Sequence, residues 1–222
     1  MTNGINKTIK KELREKNKAV INDVQSEDNI AVGLEEPYPV EIEGNVGDFF
    51  GALNSGAQLR LKGNAGRFAG NMMCDGEIVI HGHVGNGLGF GLYGGVLVVR
   101  GDAGNQVGQM NKGGTIIVDG DVKDNVGLFS LEGDIVITGS AGGEVGEWII
   151  KGNIYVGKGI DALGHNAEFE EMAKEDVDKL KSLFEKYGIE ADPSKFQKVV
   201  PEELRPFYKT KDVKEKSQGG GA

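Results

Sequence analysis

Apolar residues recur along the middle of this chain at a fixed interval of 19 residues. One column of the repeat contains Val40, Leu59, Ile78, Leu97, Ile116, Ile135 and Ile154. A second column, two residues later, contains Ile42, Leu61, Ile80, Val99, Val118, Ile137 and Val156. Two apolar positions separated by two residues, with many β-branched side chains, predict one β-strand per unit with both columns on its inward face.

Glycines keep the same interval. One series is Gly44, Gly63, Gly82, Gly101, Gly120 and Gly139, and another is Gly51, Gly70, Gly89, Gly108, Gly127 and Gly146. We interpret these as structural glycines of a stack of like coils. They either supply a positive φ at a corner or allow the backbones of two coils to lie close together, and the sequence leaves both explanations open.

The repeat predicts an all-β core, namely a parallel β-helix of about seven 19-residue coils over residues 38–165. Two further apolar columns, which start at Val46 and Phe50, are expected to face inward and complete the core. Helices are disfavoured within the repeat because glycine weakens a helix interior and no segment between glycines is long enough.

The flanks are expected to cover the two open ends of the solenoid. Residues 1–37 form the predicted N-terminal cap, with an amphipathic helix through Ile5, Ile9 and Leu13 and extended pieces at 19–21 and 30–32. Residues 166–209 form a predicted α-helical C-terminal cap, whose apolar residues fall at helical spacing from Phe169. Glu175 and Asp176 suit the start of its main helix and Gly188 its end. Residues 210–222 are expected to be a disordered tail.

One outward column is unusually apolar. Its middle members are Val79, Val98, Ile117 and Val136. Two interpretations fit this candidate partner-facing stripe. Either the faces of a β-helix simply favour β-branched residues, or the chain's own helix covers them; alternatively another protein binds the stripe, because a contiguous exposed apolar area usually marks an interface.

Charge and composition exclude several classes of function. The formal net charge is −9 and the repeat has no basic run, so no nucleic-acid partner is expected. No apolar run approaches the ~20 residues that span a bilayer, so no membrane partner is expected either. The single cysteine, Cys74, excludes an internal disulfide, and the N-terminus lacks the apolar region of a signal peptide. We therefore expect a cytoplasmic protein.

Two glycine-rich segments resemble nucleotide-binding motifs only in letters. Gly89–Gly94 matches G-x-G-x-x-G, but that motif follows a strand and opens a helix, whereas here a predicted strand comes after it. Gly152–Gly159 nearly matches the phosphate-binding loop, but its centre is the seventh predicted strand and its eighth position lacks the Ser or Thr that magnesium needs. We expect no cofactor-binding residue on this chain.

Candidate catalytic and metal-ligating residues are scarce. His81 and His83 fall in polar columns of the repeat, His165 follows the last coil, and no residues have metal-ligand spacing. Cys74 has no evident base, and no nucleophile motif is present. We therefore predict no catalytic residue and no metal site, and leave open whether the chain belongs to an enzyme.

The repeat units resemble those of a known family. Gly63-Asn-Ala-Gly66, Gly82-His-Val-Gly85 and Gly101-Asp-Ala-Gly104, each followed by a further glycine, are similar to the GXGXG repeat at the C-terminal end of the glutamate synthase large subunit. The flanks, with Asn29–Leu34 before the repeat and Glu175–Leu180 after it, resemble stand-alone β-helix subunits of glutamate synthase and N-methylglutamate synthase complexes.

The resemblance implies a right-handed parallel β-helix and a non-catalytic scaffold role. The partners would be a glutamine amidotransferase-like subunit and a glutamate synthase-like subunit that carries FMN and an iron–sulfur cluster, in an oxidoreductase complex of glutamate biosynthesis and nitrogen metabolism. The alternative is the third subunit of formylmethanofuran dehydrogenase, a β-helix subunit that has a similar repeat. No catalytic residue of the family falls on this segment.

Overall fold

In the computed structural model, which describes residues 4–204, the chain winds into a parallel β-helix, as the repeat predicts. The parallel strands are β1 (Ala19–Gln25), β2 (Pro39–Asn45), β3 (Ser55–Lys62), β4 (Asp75–Ile80), β5 (Val96–Val99), β6 (Lys112–Val118), β7 (Glu132–Ile137) and β8 (Asn153–Val156). Each pairs with the next in sequence order. From β2 to β8 the paired residues are 19 apart, as with Leu59 and Ile78, except at two register shifts where Ser55 pairs with Asp75 and Lys112 with Glu132.

The core fills the inside of the coils. The columns that start at Val40, Ile42, Val46 and Phe50 are buried almost throughout and form one continuous hydrophobic cluster. Pairing between coils continues beyond the strands, because isolated bridges join residues such as Ala65 to Val84 and Val84 to Ala103. Like side chains therefore stack on like side chains on several sides of the solenoid.

The start of the solenoid is covered by helix α1 (Gly4–Lys16), whose Ile9 and Leu13 are buried in the core. Strand β1 pairs in parallel with β2, so residues 19–37 belong to the coil stack although the predicted cap includes them. The predicted extended piece at 30–32 is instead a turn with Ala31 at φ 56°, because it occupies the place that a turn holds in every later coil.

The other end is closed by β9 (Ala167–Glu170), helix α2 (Lys174–Tyr187), a 3₁₀ turn (Pro193–Lys195) and β10 (Gln197–Pro201). Strand β10 lies antiparallel between β8 and β9, which covers the free edge of the parallel ladder. Phe169 is exposed in β9, so the helix begins later than its spacing suggests. The end of the predicted cap, 205–209, and the predicted disordered tail, 210–222, lie outside the described residues.

Candidate functional site

Helix α2 packs along the outward apolar stripe. Val79, Val98, Ile117 and Val136 are all buried, and they form a second hydrophobic cluster with Leu180, Phe184 and Tyr187 of α2 and with Ile189 and Phe196 after it. The amphipathic face of α2 explains this contact, since its apolar residues would otherwise face water. The interpretation of the stripe as partner-facing is therefore wrong: the chain covers it with its own helix.

A buried polar network fixes α2 to the last coil. The Tyr155 hydroxyl donates a 2.6 Å hydrogen bond to Asp176 Oδ1 at the start of α2. Asp176 Oδ2 accepts from Lys198 Nζ of β10 and from the backbone N–H of Ala173, both at 3.0 Å. Lys198 also donates to Glu170 of β9 at 2.6 Å. The Asp176 carboxylate thus joins α2 to β8 of the last coil and to β10 of the cap.

Burial and these hydrogen bonds shift the pKa values of the network. Burial alone would raise the pKa of Asp176, but the hydrogen bonds from Tyr155, Lys198 and Ala173 outweigh it and leave that pKa below its ordinary value. Burial likewise opposes the charge of Lys198, yet its bonds to Glu170 and Asp176 raise its pKa. Burial, and then the Asp176 carboxylate, raise the pKa of Tyr155 far above its ordinary value. Tyr155 is therefore a hydrogen-bond donor here and not an acid.

A polar groove lies beside this network, with a volume of about 520 Å³ between β7, β8 and the cap. Most of its charged lining residues are already paired: Lys151 with Glu132 at 2.7 Å, Lys179 with Asp134 at 3.0 Å, and Glu170 with Lys198 at 2.6 Å, whereas Glu168 is exposed. Among the described residues that line the groove there is no Ser, Thr, Cys or His, so a carboxylate there has no hydroxyl, thiol or imidazole to activate.

Polar side chains form ladders along the coils, and this feature is not evident from the motifs. The backbone N–H groups of Asn64, His83, Asp102, Asp121 and Ser140 each donate to the side chain 19 residues earlier, at 2.8–2.9 Å. A second ladder, which is interrupted at Arg67, includes Asp48, Asn86, Asn105 and Asp124 as acceptors. A side chain 19 residues away thus satisfies a corner N–H that has no strand partner.

The two glycine series serve different purposes. In the series that starts at Gly51, every φ lies between 62° and 73°, which side chains rarely adopt. In the series that starts at Gly44, the later members have no positive φ, but an added Cβ would strike the coil below. At Gly139 it would lie 2.2 Å from Asp121 Oδ1. Both explanations that the sequence left open therefore apply, each to its own column.

Neither nucleotide-like motif has the geometry that its chemistry needs. Gly89 to Gly91 lie in a turn, strand β5 follows, and the Leu92 side chain is buried in the core, so no helix N-terminus is present to hold a phosphate. Residues 153–156 of the other motif are strand β8, whose backbone pairs with β7. The structure does not bring the two segments together.

The histidines and the cysteine are dispersed. His81 lies near Arg100, Arg60 and Lys62, and burial and then these cations lower its pKa. His83 Nδ1 accepts a hydrogen bond from the backbone N–H of Asp102 in the first ladder. His165 Nδ1 lies 3.0 Å from Glu147 Oε2, and the His165 ring stacks on Trp148. Cys74 is an exposed free thiol. Between residues 4 and 204, no group of three or more His, Cys, Asp or Glu side chains is arranged to hold a metal ion.

Comparison with known proteins agrees with this architecture. The family model of the GXGXG motif matches residues 3–203, which is most of the chain. The chain belongs to the GXGXG family. This domain is typical of glutamate synthase-related proteins. No curated protein matches the chain significantly.

The polar side chains of the GXGXG domain in this chain mainly bond to other parts of the same chain. Most of the polar side chains at its corners are occupied in holding one coil to the next, as is the Lys151–Glu132 pair in the groove, and the Lys179–Asp134 pair joins the cap helix to β7. Within the part of the chain that the structure describes, no helix is long and apolar enough to cross a bilayer. The arrangement is suited to rigid support.

Proposed function

We propose that this chain is a non-catalytic scaffold subunit of a glutamate synthase-like amidotransferase and FMN oxidoreductase complex. Its role is to hold a glutaminase-type subunit and an FMN- and iron–sulfur-containing synthase subunit in a fixed relation. The complex acts in the cytoplasm, in glutamate biosynthesis. The chemistry belongs to the partners, so FMN and the cluster are carried by the synthase subunit.

One observation carries this proposal: the GXGXG match spans residues 3–203, and the polar side chains of the β-helix within it serve coil-to-coil bonds. A solenoid in which each coil contacts only its neighbours forms a rod of defined length. At ~4.8 Å per coil, seven coils give a rod roughly 30 Å long. Transfer of an amino group between separate active sites needs such fixed geometry.

The test is to isolate the chain from its native source under gentle conditions and to determine what accompanies it. The proposal predicts a yellow-brown complex that contains FMN, iron and an amidotransferase-like chain, as measured by absorption spectroscopy and mass spectrometry. A molybdopterin protein in the complex would favour the formylmethanofuran dehydrogenase alternative. A colourless chain without partners would contradict both.

A further inference from the structure

The turn side of the β-helix carries an exposed apolar strip. Its members are Leu53, Met72, Tyr93, Met110, Phe129 and Leu131, each 36% to 50% exposed. Leu53, Met72, Met110 and Phe129 share one place of the 19-residue repeat, and Tyr93 and Leu131 share the place two residues later. The strip therefore follows two adjacent columns along the axis of the rod. At about 200 Å² for a fully exposed large side chain, the strip presents roughly 500 Å². This is within the range of the largest patches on monomers, which are often functional.

The backbone shows that these side chains are retained at a conformational cost. Leu53, Met72, Met110 and Phe129 all have φ between 52° and 57°, a left-handed region that large side chains rarely adopt. The third coil has Gly91 at the same place, at φ 66°. Because glycine adopts this conformation without strain, folding alone would favour it in every coil. The preference of the backbone therefore does not explain the large apolar side chains at these four positions.

Charge distinguishes among the occupants of this strip. A net charge of −9 disfavours an anionic membrane or nucleic acid. The cation beside the strip, Lys112, lies between Tyr93 and Leu131 in their column and donates a 2.8 Å hydrogen bond to the Tyr93 hydroxyl, so it is already engaged within the chain. The same net charge makes two copies of the chain repel each other. In addition, two copies that share only the strip would bury roughly 1,000 Å² in total, at the bottom of the range for specific interfaces. A larger protein of neutral or basic charge fits the strip better, because it can also cover the adjacent coils.

We propose that the strip of Leu53, Met72, Tyr93, Met110, Phe129 and Leu131 is the surface on which a different protein subunit docks through an apolar ridge of its own. The inference deepens the proposed function in that it requires a protein partner, but it does not require that partner to be an amidotransferase or a flavoprotein. Gly91 leaves a gap in the strip between Met72 and Met110, where a side chain of the partner can insert.

The experiment compares four forms of the full chain, each affinity-tagged and expressed in its native cells. The strip variants are Met110→Glu with Phe129→Glu, and Met110→Gly with Phe129→Gly. The glycine pair relieves the left-handed backbone, so it removes the contacts without harming the fold. The control is Val20→Glu, which places the same charge on an apolar residue of β1 that is 49% exposed and outside the strip. Native mass spectrometry gives the fraction of each form in a heteromeric complex.

We expect the wild type and Val20→Glu to be found in the same heteromeric complex. Both strip variants should show at least a tenfold smaller fraction of the chain in that complex. The glycine pair should melt no lower than the wild type. Unchanged complexes with the strip variants would overturn the inference. So would a wild-type chain found alone or as a homodimer. If the complex depends on the strip but contains no flavin, the docking surface is supported and the proposed function is overturned. If the complex contains flavin but forms equally well with the strip variants, the proposed function is supported and the docking surface is overturned.

Discussion

At single positions, the fold depends on what lies one coil below. Gly139 has ordinary backbone angles, yet a Cβ there would lie 2.2 Å from Asp121 Oδ1 and 2.4 Å from the Gly120 carbonyl oxygen. Gly108 combines a φ of 67° with an added Cβ only 2.3 Å from Ile135 Cδ1. The first glycine is needed for close stacking of the backbones, and the second for its left-handed conformation, with a core side chain filling the space that a Cβ would take.

The stacking requirement predicts a difference between two glycine substitutions. Gly139→Ala should lower the free energy of unfolding by about 2–4 kcal/mol, because the backbone below cannot move away. Gly159→Ala is the matched control: it has open space around the added Cβ and no positive φ, so its effect should be within about 0.5 kcal/mol. Chemical denaturation of both variants measures this, and equal stabilities would contradict the stacking explanation.

The ladders predict which replacements of His83 are tolerated. His83→Asn keeps an acceptor for the N–H of Asp102 and matches Asn64 in the coil before, so its stability should equal that of the wild type. His83→Leu removes the acceptor and should cost about 1 kcal/mol. Thermal unfolding compares the two variants. If leucine is tolerated as well as asparagine, water satisfies this N–H and the ladder contributes no stability there.

At the scale of elements, the docking of α2 settles a contact that the sequence left undecided. Val98 lies fully buried under the helix. Val98→Asp should therefore destabilise the protein by more than about 4 kcal/mol, because it buries an unpaired charge. In this variant, the backbone amides of α2 should exchange hydrogen faster than in the wild type. The amides of β2, which lies outside the contact, should change less. A folded variant with normal protection of α2 would contradict the packing described for this helix.

The network around Asp176 predicts a pH dependence of the docking. Because hydrogen bonds hold the pKa of Asp176 below its ordinary value of 3.8, its ionised form stabilises the fold above that pH, and this contribution is lost as the pH falls through the lowered pKa. Asp176→Asn lacks the charge and should be about 2–3 kcal/mol less stable at pH 7. The difference in stability between the wild type and Asp176→Asn should become smaller below about pH 4. Melting experiments between pH 3 and 7 measure it. A difference that stays constant would show that the charge does not contribute.

The elements also show where sequence reasoning succeeds. The 19-residue columns determine the strands, their register and the inward faces, since each column repeats the same environment many times. The sequence does not reveal that residues 30–32 form a turn, because Ala31 adopts a positive φ that its residue type disfavours. The sequence left open whether the chain's own helix or a partner packs on Val98 and Ile117, because the apolar column would be the same in both cases.

At the scale of the whole molecule, the chain is a rod with a cap at each end and one side covered by α2. Two of its features are consistent with a scaffold: interactions that repeat from coil to coil, and the exposed strip of Met110 and Phe129 on the turn side. The sequence predicted the rod from its repeat. It did not predict the strip, although Leu53, Met72 and their equivalents keep the 19-residue interval, because the sequence does not show whether an apolar side chain of a turn faces the core or the solvent.

The central claim is that this chain positions active sites without contributing to the chemistry. The most direct measurement compares the reconstituted complex with and without the chain, recording the amide hydrolysis of the proposed amidotransferase, the flavin reduction of the proposed synthase, and the overall amino transfer. The account predicts that both partial reactions persist without the chain while overall transfer falls at least tenfold. Loss of either partial reaction on replacing an exposed residue of this chain such as Cys74 or His165, with the complex still assembled, would contradict it.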